Sequence, residues 1–312
     1  MAITMPKLYI DEFVGITNRL ETLPLAFALR QAHGHEIILD WHELDSFSVA
    51  DTHRGRVRLL ARIGAERVRD CDAARFASLA GQKMILRSLD GPAELLDPIY
   101  LETAAKIKLM PELRRAVVSC FDKLGGRPVV GVHIRQGDYQ LTDADRYDIG
   151  TEWPAVPLWW YERMMSAIVA RQPEVCFYLS CNGDPAAFGE RFARFDVVSL
   201  DFPSPYGYKG DDHRSEVHPV GDLFALACCP LLLATPISGY SHWAANALGP
   251  SSVCLVPLPG ATREAPQAGL VRLHGSRLPR WRAAGRTGSD TEAITPDLAG
   301  VPPAVGADSA WL

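Results

Sequence analysis

The stretch Val129-Val-Gly-Val-His-Ile-Arg-Gln-Gly-Asp-Tyr139 decides how the rest of the chain is read. Val129, Val130, Val132 and Ile134 are β-branched and nearly continuous, which is the pattern of a strand buried on both faces of a parallel sheet. The run stops at Arg135, with Gly137 and Asp138 just beyond. His133, Arg135 and Asp138 therefore fall at or just past the carboxyl end of the strand, where open α/β sheets bind ligands. A guanidinium there offers a planar fork that matches phosphate oxygens. The alternative is an Arg–Asp pair that only closes a turn.

Working outward on the carboxyl side, the alternation is regular. A helix is expected near Leu158–Arg171, a strand at Val175–Cys181, a helix at Pro185–Phe192 and a strand at Asp196–Leu200. Helix Asp222–Cys229, strand Leu231–Thr235, helix Tyr240–Leu248 and strand Val253–Pro257 follow. Strands alternating with helices of this length give βαβ units and a parallel, doubly wound sheet. On the amino side, Lys7–Ile10 and Glu36–Asp40 read as strands around a helix from Leu20 to His33, with Gly34 as its left-handed terminator. Pro24 kinks that helix or marks its true first turn. Residues 43 to 124 read as mostly helical, over His53–Ile63 and Asp97–Leu124 in particular, with a candidate strand at Met84–Leu86. Gly125-Gly126 suggests a boundary. The expected division is an α/β domain over 1–124, a Rossmann-like domain over 125–270, and a partly disordered tail over 271–312. That tail is basic from Arg272 to Arg286, then rich in Pro, Gly and Ala.

Composition narrows the function. A net charge of −5 argues against a nucleic-acid partner. Seven cysteines, an odd number set mostly in apolar segments (Cys120, Cys176, Cys228, Cys229, Cys254), suit free buried thiols in a reducing compartment. The apolar run Phe224–Ile237 is too short to span a bilayer, and the first residues do not read as a signal peptide. The expectation is a cytoplasmic protein with at most peripheral membrane contact, through the basic tail.

Three loops fall at carboxyl ends of strands in the second half: His133 to Asp138, Ser180-Cys-Asn-Gly-Asp184, and Thr235-Pro-Ile-Ser-Gly-Tyr-Ser241. Ser238 precedes a helix, so it can cap that helix or present a hydroxyl to a phosphate. Together with Arg135 it suggests a diphosphate cradle. In the first half, Gly15, Asn18 and Arg19 occupy a βα loop that could meet a ligand, or could cap a helix through Thr17 or Asn18 with Glu21. No Gly-x-Gly-x-x-Gly or Walker A pattern occurs, which weighs against NAD dehydrogenases and P-loop NTPases. Asp70-Cys-Asp72 reads as a helix cap; Asp143-Ala-Asp145 could hold a divalent ion on a nucleotide diphosphate. His213 and His218 flank an acidic loop that reads as solvated.

These segments together resemble the fucosyltransferase superfamily of α1,2-, α1,6- and protein O-fucosyltransferases, above all the α1,6 branch with its bacterial nodulation-type enzymes. His133-Ile-Arg-Gln-Gly-Asp-Tyr139 resembles the family's His-x-Arg-x-Gly/Thr-Asp motif. Tyr178–Pro185 and Asp222 through Ser238 resemble its second and third motifs, and Val14–Leu20 with Ile37–Trp41 resembles its first loop and strand. Gln136 stands where the α1,6 pattern has a second arginine, and Gly137-Asp-Tyr139 is nearer the α1,2 pattern, so the linkage stays open.

The resemblance implies a GT-B-like fold of two Rossmann-like domains with parallel sheets, the acceptor lying against the domain over 1–124 and the nucleotide sugar bound mainly to the domain over 125–270. It implies an inverting, metal-independent glycosyltransferase that moves L-fucose from GDP-fucose to a glycan or glycolipid hydroxyl, with no cofactor. Arg135 would hold the β-phosphate, Ser238 and Gly239 would meet it from a helix N-terminus, and His133 and Asp222 would contact guanine. Asp138, Gly15, Asn18 and Arg19 complete the implied donor site. The general base would be Asp143, with Asp145 and Glu12 behind it. Two other readings stand beside this one: a transferase for another nucleotide sugar, with Asp143 and Asp145 on a metal, and a nucleotide-sugar-binding protein without catalysis.

Overall fold

The computed structural model describes residues 5–135, 141–147, 156–182, 185–204, 217–236, 238–250, 252–271, 291–294, 300–304 and 311–312. These form two compact units, one reaching Met110 and the other running from Pro111.

In the first unit, β1 (Lys7–Asp11) is followed by α1 (Leu23–His33) and β2 (Glu36–Asp40). Helix α1 takes Pro24 into its first turn, where the missing N–H costs nothing, and ends at Gly34 with φ 72°. Strands β3 (His53–Arg54), β4 (Glu66–Val68) and β5 (Met84–Leu86) complete a sheet of order β3-β2-β1-β5-β4. Every neighbouring pair in it is parallel. The helical reading of residues 43–124 is corrected here. His53-Arg54 pairs with Ile38 and Leu39 instead of opening a helix, and Ile107–Leu109 pairs antiparallel with Phe47–Val49 inside the expected Asp97–Leu124 helix. Long-range pairing overrides a local 3.6-residue pattern in both places.

The second unit opens with α2 (Pro111–Asp122), so it takes in the helix that precedes Gly125-Gly126. Its strands are β6 (Val129–Ile134), β7 (Cys176–Cys181), β8 (Val197–Val198), β9 (Leu231–Leu233), β10 (Val253–Pro257), β11 (Ala268–Val271) and β12 (Thr291–Ile294). They lie in the order β8-β7-β6-β9-β10-β11-β12. The five strands from β8 to β10 run parallel, and β11 and β12 are added antiparallel. Strand β6 is buried at every residue, as its β-branched run requires. Helix α3 (Leu158–Arg171) sets Trp159, Trp160 and Tyr161 into the core beside Val130, Val132 and Ile134. Helix α4 (Pro219–Ala227) crosses β6 so closely that a β-carbon on Gly131 would stand 2.7 Å from Leu226 Cδ1.

The tail expected to be partly disordered is, at its described residues, built into this unit. Strand β12 pairs with β11, Val129 N donates to Pro302 O at 3.3 Å, and Trp311 stacks on Phe224 at 5.9 Å. The basic run Arg272–Arg286 lies outside the described residues. All seven cysteines are free. Among the described residues no helix is long and apolar enough to cross a membrane.

Candidate active site

Chain order and sheet order of the second unit disagree at one place. From β6 the chain moves outward to β7 and β8, then returns to the opposite side of β6 to lay down β9. The connections diverge at the carboxyl ends of β6 and β9, and such a switch point leaves an open crevice. His133 is the penultimate residue of β6 and Arg135 follows the strand; Thr235 and Ser238 follow β9. The first and third loops singled out in the sequence therefore meet here. Thr235 Oγ1 fastens them, donating to His133 O at 2.7 Å and accepting from Arg135 N at 3.0 Å.

His133 is 4% exposed, with Nδ1 2.7 Å from Ser241 Oγ and its ring stacked 5.0 Å from Tyr240. Burial, the Arg135 charge and His242 together bring its pKa down to about 3, so the imidazole is neutral. Arg135 is half-buried one residue beyond the strand. Ser238 precedes the short helix α5 (Gly239–His242). Its hydroxyl is fully buried, makes no cap bond, and has no hydrogen-bond partner among the described residues. A buried hydroxyl in that condition is costly unless a ligand or water completes it.

Asp222 lies on α4 and ties three elements together. It accepts from Tyr178 Oη at 2.6 Å, Ser180 Oγ at 2.6 Å and Tyr240 Oη at 3.0 Å. Burial raises its pKa to about 6 against the opposing pull of the three hydroxyls. A carboxylate has about four lone-pair sites, and three are taken. The guanine contact implied for Asp222 thus meets a carboxylate already engaged inside the unit. Tyr178, Ser180, Tyr240, Ser241 and Thr235 are the members that the sequence reading left without a role. Their signal was present: Tyr178 and Ser180 are hydroxyls two apart, on one face of an otherwise apolar strand.

The other expected site residues lie elsewhere. Arg19 is fully buried in the first unit. It makes a bidentate pair with Glu43 at 3.0 and 2.6 Å, donates to Val14 O at 2.9 Å, and packs on the Trp41 ring at 5.3 Å. Its guanidinium is spent on an internal ion pair, which corrects its place in a ligand loop. Gly15 is the N-cap of a five-residue helix, Ile16–Leu20, that contains Asn18, and no side chain caps it. Glu12 is buried against His42. In the second unit, Asp143 is exposed and pairs with Arg191 at 2.7 Å. That hydrogen bond and the Arg191 and Arg263 charges hold its carboxyl below the usual range. Asp145 pairs with Arg263 at 3.2 Å. Guanidinium groups occupy the cation side of both carboxylates. Asp72 caps its helix by accepting from Arg75 N at 2.7 Å. His218, read as part of a solvated loop, is fully buried and caps α4 by accepting from Val220 N and Gly221 N. Asp138, Asp184 and His213 lie outside the described residues.

No protein-family model matches the sequence, and no curated protein matches it. Solved structures do match. A mutant of Arabidopsis thaliana FUT1 in complex with GDP aligns over 90% of this chain and 78% of that one, with a TM-score of 0.54 and 10% identity. NodZ α1,6-fucosyltransferase soaked with GDP-fucose aligns over 81% of this chain and 95% of that one, with a TM-score of 0.50 and 14% identity. The chain has the fold of these fucosyltransferases. It is GT-B-like, with two Rossmann-like units built on parallel sheets.

Proposed function

We propose that the chain is an inverting glycosyltransferase that moves L-fucose from GDP-fucose to a glycan or glycolipid hydroxyl without a metal. One observation carries the reading. Neutral His133, Arg135 and the partnerless Ser238 hydroxyl lie on or beside the two loops that Thr235 fastens together at the switch point, in a unit whose fold is shared with fucosyltransferases. As the fucosyl–oxygen bond breaks, negative charge grows on the departing diphosphate. The Arg135 guanidinium meets that charge where a metal would otherwise stand. The Ser238 hydroxyl gains the partner it lacks by donating to a phosphate oxygen. His133, held by Ser241 and flat on Tyr240, offers its neutral ring to the nucleoside.

Asp143 is our candidate for the base that takes the acceptor proton. Its depressed pKa keeps it ionised, and Arg191 must swing aside for it to act. The free cysteines suit a reducing cytoplasm, where we place the reaction.

The test is GDP release from GDP-fucose with a panel of acceptors. We expect turnover that EDTA leaves intact and that Arg135→Ala lowers by roughly 10²–10³; undiminished turnover in Arg135→Ala overturns the assignment. Thermal shifts with GDP, UDP and ADP separate this donor from another nucleotide sugar, with GDP expected to stabilise most.

A further inference from the structure

The stretch Arg54-Gly-Arg-Val-Arg-Leu-Leu-Ala-Arg-Ile-Gly-Ala-Glu-Arg-Val-Arg69 carries six arginines and one acidic residue, in a chain whose net charge is −5. Its apolar residues divide: Val57 and Val68 are buried, while the largest side chains face out. The small residues Ala61 and Ala65 pack inward on the cluster of Tyr9, Ile38, Val57 and Ile85. The large ones turn out: Leu59, Leu60 and Ile63 are 74%, 80% and 60% exposed. A contiguous aliphatic patch of this kind marks an interaction surface in a folded protein.

The patch is held outward by its backbone. Lys83 Nζ donates to Leu60 O at 3.0 Å and to Ile63 O at 2.7 Å, which fixes the turn and adds another cation beside it. Val57 N donates to Asp40 Oδ2 at 2.8 Å and anchors the entry, and Arg62 reaches Asp11 at 3.3 Å and anchors the helix. The one acidic residue, Glu66, is taken by Arg75. Arg56, Arg58, Arg67 and Arg69 are exposed and have no acidic partner among the described residues. The surface therefore presents fixed aliphatic side chains ringed by uncompensated guanidinium groups.

We propose that this turn seats on an anionic lipid bilayer. Leu59, Leu60 and Ile63 enter the boundary between headgroups and acyl chains, and the arginines lie along the phosphates with their stems against the apolar layer. A nucleic acid would use the arginines and leave the three aliphatic side chains in water. A protein partner would bury the aliphatic side chains and leave most of the charge unmatched. Only an anionic bilayer satisfies both halves of the surface. The inference uses no property of the donor site, so it stands or falls separately from the transfer reaction.

The experiment is co-sedimentation of the full chain, without donor or acceptor, with vesicles of phosphatidylcholine alone or mixed with phosphatidylglycerol. We expect binding to the mixed vesicles that weakens steeply between 50 and 500 mM salt (roughly a Debye length of 14 Å falling to 4 Å). The triple variant L59S/L60S/I63S is expected to lose partitioning at least tenfold, and R56Q/R58Q to lose the preference for the anionic lipid. All five positions are exposed, and matching thermal melts confirm folding. Failure of the wild type to bind mixed vesicles overturns the proposal. So does equal binding by the triple variant, or a wild-type dimer that the triple variant dissociates with vesicle binding unchanged. Turnover on a soluble acceptor, measured in parallel, tests the transferase reading alone.

Discussion

Both units place charge at the carboxyl end of a central strand and use it differently. In the second unit the chain reverses its winding between β6 and β9; in the first it passes from β1 through β2 to β3, crosses to the far edge at β4, and returns to lay β5 beside β1. In the first, β1 ends on Asp11, which is buried and receives Arg87 at 3.0 and 2.6 Å and Arg62 at 3.3 Å; Arg19 and Glu43 form a second buried pair. Charge there is answered by charge. In the second, the His133 ring meets the Ser241 hydroxyl, Thr235 Oγ1 joins the His133 and Arg135 backbones, and the one buried acid among the described residues of that unit is wrapped by three more hydroxyls. Hydroxyls can both donate and accept and carry no net charge, so they can change partner when an anion arrives. A closed ion pair cannot do so without stranding a charge. The carboxyl end of a central strand thus serves stability in one unit and, in our reading, binding in the other.

The largest expected effect breaks the ionic side of this comparison. Arg19→Ala leaves Glu43 buried and unpaired, at a cost of about 3–5 kcal/mol. Arg19→Met with Glu43→Leu should recover most of it, because an apolar pair of similar volume needs no compensation. Thermal or urea unfolding reads both. If Arg19→Ala left stability intact and raised the donor KM, Arg19 would belong to a ligand site and the contrast would fail.

Next is the binding side. Arg135→Ala should lower kcat by roughly 10²–10³, the cost of one preorganised group aimed at developing charge, with little change in unfolding. A variant that instead unfolds, with the donor site still competent at low temperature, would make Arg135 structural like its counterparts in the first unit.

A pH experiment sharpens the hydroxyl-wrapped acid. Asp222 is raised from 3.8 to about 6 by burial, so between those values the folded chain holds a proton that the unfolded chain has lost. Its contribution therefore weakens stability as pH rises from about 4 to 6 and is constant above that. His133, lowered to about 3, acts oppositely: it stays neutral when folded and takes a proton when unfolded, so stability falls as pH drops below about 6.5. His133 and His242, both lowered to about 3, act against Asp222 over the same interval, so Asp222→Asn should make stability rise more steeply with pH between 4 and 6 than in the wild type and keep the acid-side fall. An unchanged slope in that variant would show that the carboxyl is not buried in this network.

These residues also show what the sequence made legible. The central strand, its end at Arg135 and the meeting of the first and third loops could be read because an unbroken β-branched run has few other homes. Ser238 could be read as a helix-start hydroxyl. Asp222's true neighbours could not, because they come from a strand and a helix 42 and 18 residues away, and no local pattern records that. Arg19 failed for a related reason. An arginine in a βα loop looks the same whether it faces a ligand or turns inward to a glutamate 24 residues on. The strand His53-Arg54 was hidden because its two residues have no alternation of their own; it exists through pairing with β2.

The smallest expected effect concerns Asp143, the acid that sits between the two regimes: charge-paired like the first unit, yet exposed. Arg191 holds its carboxyl below the usual range, so the folded chain gains stability above the ordinary carboxylate pKa and loses it as pH falls further. For an exposed pair that contribution is at most about 1 kcal/mol, and Arg191→Ala should change melting by no more than that. The informative readout is the acid limb of kcat/KM. If Asp143 is the base, it must be ionised, and losing Arg191 lets its pKa climb back. The limb should then move to higher pH, while kcat on the plateau rises or holds because the base no longer has to leave an arginine. Asp143→Asn should remove the limb together with most of the turnover. A limb that stays in place in Arg191→Ala, with turnover intact in Asp143→Asn, would hand the proton to another group and leave Asp143–Arg191 as one more ion pair of the kind that closes the first unit.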